Sequence, residues 1–191
     1  IAGDKNVSDN WFKIECVDSE STLPTAPGGG VSDPGGTAVT KLSDADARAK
    51  LQGTGVRVKD GVTLNNINLS TLNEAIQLKK QCQACNVEIT SATGDTHNEG
   101  QFSHANGYKI DFSTKTGPAY RPLENPKDIS VSDHITYKFT QDGFRTRKLA
   151  DGTTVNEPRY INPNSGAVYV LEDQGKSNEH WDVTVLGGML S

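Results

Sequence analysis

His104 and Asp111 are the residues whose types and spacing first suggest chemistry. They stand seven residues apart with Gly107 between them, and Asp111 lies in an alternating polar and apolar segment that predicts a strand. Imidazole and carboxylate groups are both good zinc ligands, and a glycine permits a tight turn between them. If His104 precedes that turn and Asp111 follows it, both side chains can reach one ion. A zinc site of this kind needs a third protein ligand.

His180 supplies the third ligand. Residues 180–185 alternate again and predict the last strand, with His180 and Asp182 on one face. Trp181 and the valines that follow would share the opposite, buried face. The chain therefore offers two imidazoles and a carboxylate from two separate strand regions.

These stretches resemble the motifs of the zinc peptidases that cleave bacterial cell-wall peptides, the D-alanyl-D-alanine carboxypeptidases and L-alanyl-D-glutamate endopeptidases. The central motif of that family is a serine and a histidine followed by x-x-G-x-x-x-D, which Ser103 to Asp111 fits. Residues 87–91 are similar to a family strand that ends in Thr-Ser. His180-Trp181-Asp182 resembles the motif of the final zinc-binding histidine. The likeness covers roughly residues 40–190, and these short motifs carry it.

The resemblance implies a fold, a site and an activity. The fold would be α+β, a small antiparallel sheet with helices packed on one side, as in the hedgehog signalling domain, which shares the family's fold. The zinc ligands would be His104, Asp111 and His180. The activity would be zinc-dependent cleavage of peptide bonds in peptidoglycan stem peptides, as in an endolysin or a wall-remodelling enzyme. Such a protein, bacterial or from a phage, would be secreted, periplasmic or virion-associated.

Two groups of the family's catalytic machinery have no direct match here. The catalytic carboxylate usually stands three residues before the last zinc ligand, a position that Ser177 occupies in this chain. We predict that Glu179 is the catalytic carboxylate of this chain, with Glu172 as the second choice. Glu179 would face the metal only if the last strand begins after it. The family's carbonyl-polarising arginine, which follows the Thr-Ser strand end, is also missing, and either His97 or the distant Arg121 is a candidate replacement.

A non-catalytic module is the alternative function. Such a domain would hold zinc structurally and recognise cell-wall peptide or a protein partner without cutting it, as the hedgehog relation to these peptidases implies. An open metal position with a nearby carboxylate favours the enzyme, whereas a fourth protein ligand favours the module.

The net charge and the apolar content of the chain limit the kinds of partner that it can bind. The chain has a formal charge of −5 and no dense run of lysine or arginine, which argues against nucleic acid as its main partner. Its apolar runs are too short to cross a bilayer, so peptidoglycan peptide is the predicted partner. Cys82 and Cys85 form a C-x-x-C pair, which is either a local disulfide or two ordinary thiols. No second ligand pair stands nearby to make it a zinc site.

The elements that position these residues follow from periodicity and turn signals. Residues 1–38 are rich in proline and glycine and predict an N-terminal segment with a linker, before a zinc peptidase-like domain over 39–191. The start at Ile1 and this linker predict a domain of a larger polypeptide or assembly. A polar loop over 91–106 is long enough to indicate a functional role. The predicted elements are helices from Ser43, from Ser70 or Thr71 to near Cys82, and over 130–139; strands at 56–58, 87–90, 108–113, 167–171 and 180–185; and a hairpin at 144–149.

Overall fold

The computed structural model describes residues 39–94, 100–114 and 130–186. The predicted linker, 1–38, and two candidate residues, His97 and Arg121, lie outside the described residues. The described ranges contain three helices and nine strands: β1 (Lys41–Leu42), α1 (Asp44–Leu51), β2 (Arg57–Val58), β3 (Ile67–Asn68), α2 (Leu69–Gln81), β4 (Glu88–Ser91), β5 (Lys109–Ser113), α3 (Val131–Lys138), β6 (Thr140–Lys148), β7 (Thr154–Ile161), β8 (Val168–Glu172) and β9 (His180–Thr184).

Seven strands form one sheet in the order β2-β4-β5-β9-β8-β7-β6, and β1 and β3 form a separate pair. Strands β2 and β4 run parallel, whereas the other neighbours in the large sheet are antiparallel. The prediction of an α+β fold with a mostly antiparallel sheet is confirmed. The prediction of a small sheet is wrong, because the hairpin β6–β7 adds two long strands. Proline is unfavourable inside a strand because it has no backbone N–H to donate. Pro158 nevertheless lies in β7, where it pairs with Phe144, the first paired residue after a register shift in β6.

The helices supply apolar side chains to one face of this sheet. Leu72 and Leu78 of α2 are fully buried and belong to the same core cluster as Phe112 and Trp181 from the centre of the sheet. The indole Nε1 of Trp181 also donates to Ser132 Oγ on α3 at 2.9 Å. Because side chains alternate along a strand, the neighbours of Phe112 and Trp181 face away from this core.

Local signals account for the helix ends. Ser43 caps α1, since its side chain accepts a hydrogen bond from the Asp46 N–H at 3.2 Å. Helix α2 ends at Gln81, and Cys82 and Cys85 form a disulfide directly after it. Of the two alternatives for this cysteine pair, the structure contains the disulfide. None of the helices in the described ranges has the length and apolar character needed to cross a membrane.

Candidate metal centre

Three neighbouring strands bring polar side chains together on the sheet face away from the core. Strands β5 and β9 pair Asp111 directly with Asp182, and Ser113 with His180. Strands β8 and β9 pair Glu172 with His180. Directly paired residues of antiparallel strands point to the same face, with Cβ atoms about 4.5–5.5 Å apart. The strand register therefore gathers these side chains around one place.

The turn before β5 brings His104 to the same place. Gly107 donates its N–H to the His104 carbonyl at 2.7 Å and has a φ of 76°, which glycine adopts without strain. A side chain at this position would collide with the carbonyl oxygen of Asn66. The glycine thus lets the chain turn tightly against its neighbour, and the His104 side chain is 3% exposed.

Asp111 lies between two histidines. Its Oδ1 is 3.3 Å from Nε2 of His104, and its Oδ2 is 3.7 Å from Nε2 of His180. Within the described part of the chain, these two histidines are its ion-pair partners. A buried carboxylate requires a positive partner, which a protonated histidine or a metal cation can supply.

The donor atoms of this cluster, imidazole nitrogens and carboxylate oxygens, are types that can bind a metal ion such as zinc. Two imidazoles and a carboxylate are typical of a catalytic zinc site. Among the described residues, three buried atoms of the cluster make no hydrogen bond of good geometry: His104 Nδ1, Asp182 Oδ1 and Asp111 Oδ1, the last of which has only the 3.3 Å ion-pair contact with His104. Burial favours the neutral form of His104, but the carboxylate of Asp111 outweighs it and raises the pKa of His104. A zinc ion would displace that proton, as metal binding to histidine does.

Asp182 is a fourth candidate ligand, which sequence reasoning placed on this face without assigning it to the metal. Ligand atoms of His104, Asp111 and Asp182 lie within 4.8 Å of one another, whereas the predicted ligand His180 is not part of this group, although its Nε2 lies 3.7 Å from Asp111 Oδ2. The Oδ2 of Asp182 accepts hydrogen bonds from Lys109 Nζ at 2.6 Å and from Arg145 Nη1 at 3.1 Å. Burial opposes its ionisation, but Lys109 and Arg145 outweigh that effect and lower the pKa of Asp182. Because cations already neutralise its charge, Asp182 is a weaker ligand than Asp111.

The ring of His180 has a defined orientation. Its Nδ1 lies 2.8 Å from the carbonyl oxygen of Asn178. A carbonyl only accepts, so Nδ1 carries the proton of the neutral ring and Nε2 keeps a free lone pair. That Nε2 lies 3.7 Å from both Asp111 Oδ2 and Glu172 Oε2. Metal-binding histidines are usually supported in this way, through their other ring nitrogen.

Glu172 lies at the edge of this cluster. Its Oε2 faces His180, and its Oε1 accepts a hydrogen bond from Arg145 Nη2 at 2.5 Å. Burial, together with a hydrogen bond shared with Asp182, raises the pKa of Glu172 against the opposing effect of Arg145. A half-buried carboxylate with a raised pKa beside a metal position is a suitable proton acceptor.

Glu179, the other predicted catalytic carboxylate, lies in the turn before β9. Strand β9 does begin at His180, as that prediction required. However, Oε2 of Glu179 accepts a hydrogen bond from the Gly175 N–H at 2.6 Å, so its carboxylate is engaged within the turn. By position, Glu172 is therefore the better candidate for proton transfer.

Sequence reasoning missed the arginines beside the site. Arg145 on β6 forms ion pairs with Glu157, Glu172 and Asp182, one on each of the next three strands. Arg147 also pairs with Glu157, at 2.6 Å. Burial disfavours the charge of Arg145, but Glu172 and Glu157 outweigh it and raise its pKa, so that it stays cationic. The available signal was the spacing of Arg145 and Arg147, which puts both on one face of a strand.

A second group of potential ligands consists of Cys82, Cys85 and His134. The two sulfurs are joined in a disulfide. Because thiolates are the cysteine form that binds metal, this group is not a metal site while the disulfide is present.

Comparisons with known proteins find no relative. No protein-family model, curated protein or solved structure matches the chain. The resemblance to the cell-wall zinc peptidases thus depends on the short motifs alone and stays a prediction. The fold that those enzymes share with the hedgehog domain stays a prediction for this chain.

Proposed function

We propose that this chain is a zinc-dependent peptidase that cleaves peptide bonds in the stem peptides of bacterial peptidoglycan. The observation that carries the proposal is the buried Asp111 between His104 and His180, with Glu172 beside them. Three protein ligands are the number that catalytic zinc sites use, and a zinc ion held by them would keep a position for water. The motif resemblance supports the substrate class, and the side-chain geometry supports the metal and the proton acceptor.

In the proposed reaction, the metal ligands, Glu172 and Arg145 have different roles. Zinc held by His104, Asp111 and His180 would supply a Lewis acid for the peptide carbonyl and for water. Glu172 takes a proton from the attacking water and passes it to the leaving amine. The pKa of Glu172 is raised, chiefly by burial, and this direction favours both steps because it makes the carboxylate a better proton acceptor. Arg145 holds Oε1 of Glu172, so that Oε2 stays directed towards His180.

The second candidate function is a non-catalytic zinc-containing module that recognises cell-wall peptide or a protein partner. Asp182 is the observation that favours it, because its buried Oδ1 has no hydrogen-bond partner among the described residues. This carboxylate also belongs to the same cluster as His104 and Asp111. Binding Asp182 as a fourth ligand would close the coordination and remove the position that catalysis requires.

We place the proposed activity outside the cytoplasm. Peptidoglycan lies there, and disulfides such as Cys82–Cys85 persist in oxidising environments. A secreted or periplasmic bacterial enzyme and a virion-associated phage enzyme both fit this proposal.

Zinc titration tests the metal centre. Metal-depleted protein is titrated with zinc in competition with a chromophoric chelator. We expect the wild-type chain to take up an equimolar amount, and His104→Ala and His180→Ala to lose this binding because each removes a ligand. His134→Gln is the matched control, since this histidine lies on α3 outside the cluster, and it should bind zinc as the wild type does.

Digestion of peptidoglycan tests the activity. Purified protein is incubated with peptidoglycan, and mass spectrometry is used to detect new amino termini. We expect them with zinc-loaded wild type and not with His180→Ala. Zinc binding without new amino termini would support the binding module. Full peptidase activity in metal-free His180→Ala protein would contradict the proposed enzyme.

A further inference from the structure

The turn between β8 and β9 is organised around the carboxylate of Asp173. Its Oδ2 accepts a hydrogen bond from Asn178 Nδ2 at 2.6 Å. Its Oδ1 accepts hydrogen bonds from Lys176 Nζ at 3.0 Å and from Arg147 Nη2 at 3.2 Å. The Asp173 side chain is 12% exposed, whereas residues 174–178 are exposed. Packing therefore contributes little to holding this turn. The Asp173 carboxylate connects its two ends, alongside the Gly175 N–H donated to Glu179 and backbone hydrogen bonds from Lys176 to Asp173 and from Glu179 to Lys176.

The far end of the turn contacts the proposed metal centre. The carbonyl oxygen of Asn178 lies 2.8 Å from Nδ1 of His180. The position of this carbonyl selects the ring tautomer and the direction of Nε2, which lies 3.7 Å from Asp111 Oδ2. A continuous chain of contacts thus runs from Asp173 through Asn178 to the imidazole.

We propose that Asp173 is a positioning residue of the metal centre. Its carboxylate fixes Asn178, and the Asn178 carbonyl in turn holds His180 as the Nδ1–H tautomer with Nε2 free to bind metal. This inference builds on the proposed zinc site, because the orientation of His180 matters only if Nε2 is a ligand. Partners of this kind, one step behind a ligand, typically change metal affinity about 10–100-fold when they are removed.

The backbone at Asp173 determines which substitutions are informative. Its φ is 51°, a left-handed conformation that glycine adopts freely and that asparagine also tolerates. Asp173→Gly removes the carboxylate without imposing backbone strain. Asp173→Asn keeps an oxygen that can accept from the Asn178 amide. Asn178→Ala breaks the same contact from the other side while leaving the carbonyl in the chain.

The first readout is zinc affinity, measured in competition with a chelator. We expect Asp173→Gly and Asn178→Ala to weaken zinc binding about tenfold, at the lower end of effects on such supporting residues. Asp173→Asn should bind nearly as tightly as the wild type. Lys176→Gln is the matched control, because Lys176 contacts the same carboxylate from an exposed position without touching Asn178 or His180.

The second readout is the tautomer of His180 in metal-free protein, obtained from the ¹⁵N chemical shifts of its ring at a pH where the imidazole is neutral. We expect wild type and Asp173→Asn to hold Nδ1–H, and Asp173→Gly to gain Nε2–H. An unchanged tautomer together with wild-type zinc affinity in Asp173→Gly would overturn the inference. If the wild-type chain bound no zinc, the proposed function and the metal-positioning role would fail together, whereas the tautomer measurement would still decide whether Asp173 orients the His180 ring.

Discussion

Replacing Glu172 with glutamine separates proton transfer from metal binding. Glutamine keeps an oxygen that can accept from Arg145, as Oε1 of Glu172 now does at 2.5 Å, but its amide cannot take a proton. General acid–base catalysis contributes about 10²–10⁴-fold, so kcat/KM should fall by that factor, which corresponds to about 3–5 kcal/mol of transition-state stabilisation. Zinc affinity should change little, because Glu172 Oε2 faces the ligand His180 from 3.7 Å and is not itself a predicted ligand.

The stability of this variant follows from the pKa of the carboxyl group it replaces. The pKa of Glu172 is raised, chiefly by burial, so folding disfavours its ionised form. A neutral glutamine avoids that cost, and we expect the melting temperature of the variant to match or exceed that of the wild type. An unchanged or higher melting temperature would show that a loss of activity does not come from unfolding.

The assay is quantitative mass spectrometry of stem-peptide cleavage, with zinc content measured on the same samples. Glu179→Gln is the matched control, because its amide oxygen can still accept from the Gly175 N–H that Glu179 now binds. We expect that control to keep wild-type turnover. The assignment of Glu172 is refuted if Glu172→Gln retains kcat/KM within about tenfold of the wild type, or if Glu179→Gln is the variant that loses activity.

Two further predictions concern the scaffold. The carboxylate of Asp44 accepts a hydrogen bond from the Leu64 N–H at 2.7 Å, which is the main reason that its pKa is lowered. Its contribution to stability should therefore be present above the unfolded-state pKa of about 3.9 and be lost as the pH falls through the lower folded-state pKa. The difference in thermal unfolding between wild type and Asp44→Asn should shrink over that acidic range, and a difference independent of pH would contradict this. Gly107→Ala should destabilise the protein more than Gly152→Ala, measured by urea unfolding. Both glycines have positive φ, which costs an alanine about 1–2 kcal/mol, but only Gly107 has backbone within collision distance. Equal losses would show that the close approach at Gly107 is unimportant.

The faces of the central strands could be predicted from the sequence because alternation has a period of two. Phe112 and Trp181 had to face the core, and this choice placed Asp111 and His180 together on the other face. Direct pairing of β5 with β9 then brings the two strands side by side. The position of the turn before β5 could also be predicted, because Gly107 allows a tight turn that other residue types adopt less readily.

The charged surroundings of the site could not be predicted, because they depend on pairing between distant residues. Arg145 reaches Glu157 only through the register of β6 with β7, which shifts between Gln141 and Phe144. The choice between Glu172 and Glu179 likewise depended on a turn whose side-chain hydrogen bonds have no periodic signal. Sequence patterns identify the face that a residue occupies, but not the neighbour that another strand places against it.

The way in which hairpin β6–β7 is attached to the sheet determines how salt affects the arginines beside the site. Strand β7 pairs with β8 over three residue pairs, Arg159 to Ile161, although the hairpin runs from Thr140 to Ile161. Apart from Arg145 and Arg147, the side chains of β6 are exposed. Ion pairs therefore add to the short β7–β8 pairing and to the Tyr160–Trp181 ring contact in attaching the outer hairpin to the rest of the sheet. The ion pairs of Arg145 with Glu172 and Asp182 are partly buried, so we expect concentrated salt to weaken them less than it weakens exposed pairs, while the apolar core keeps the domain folded.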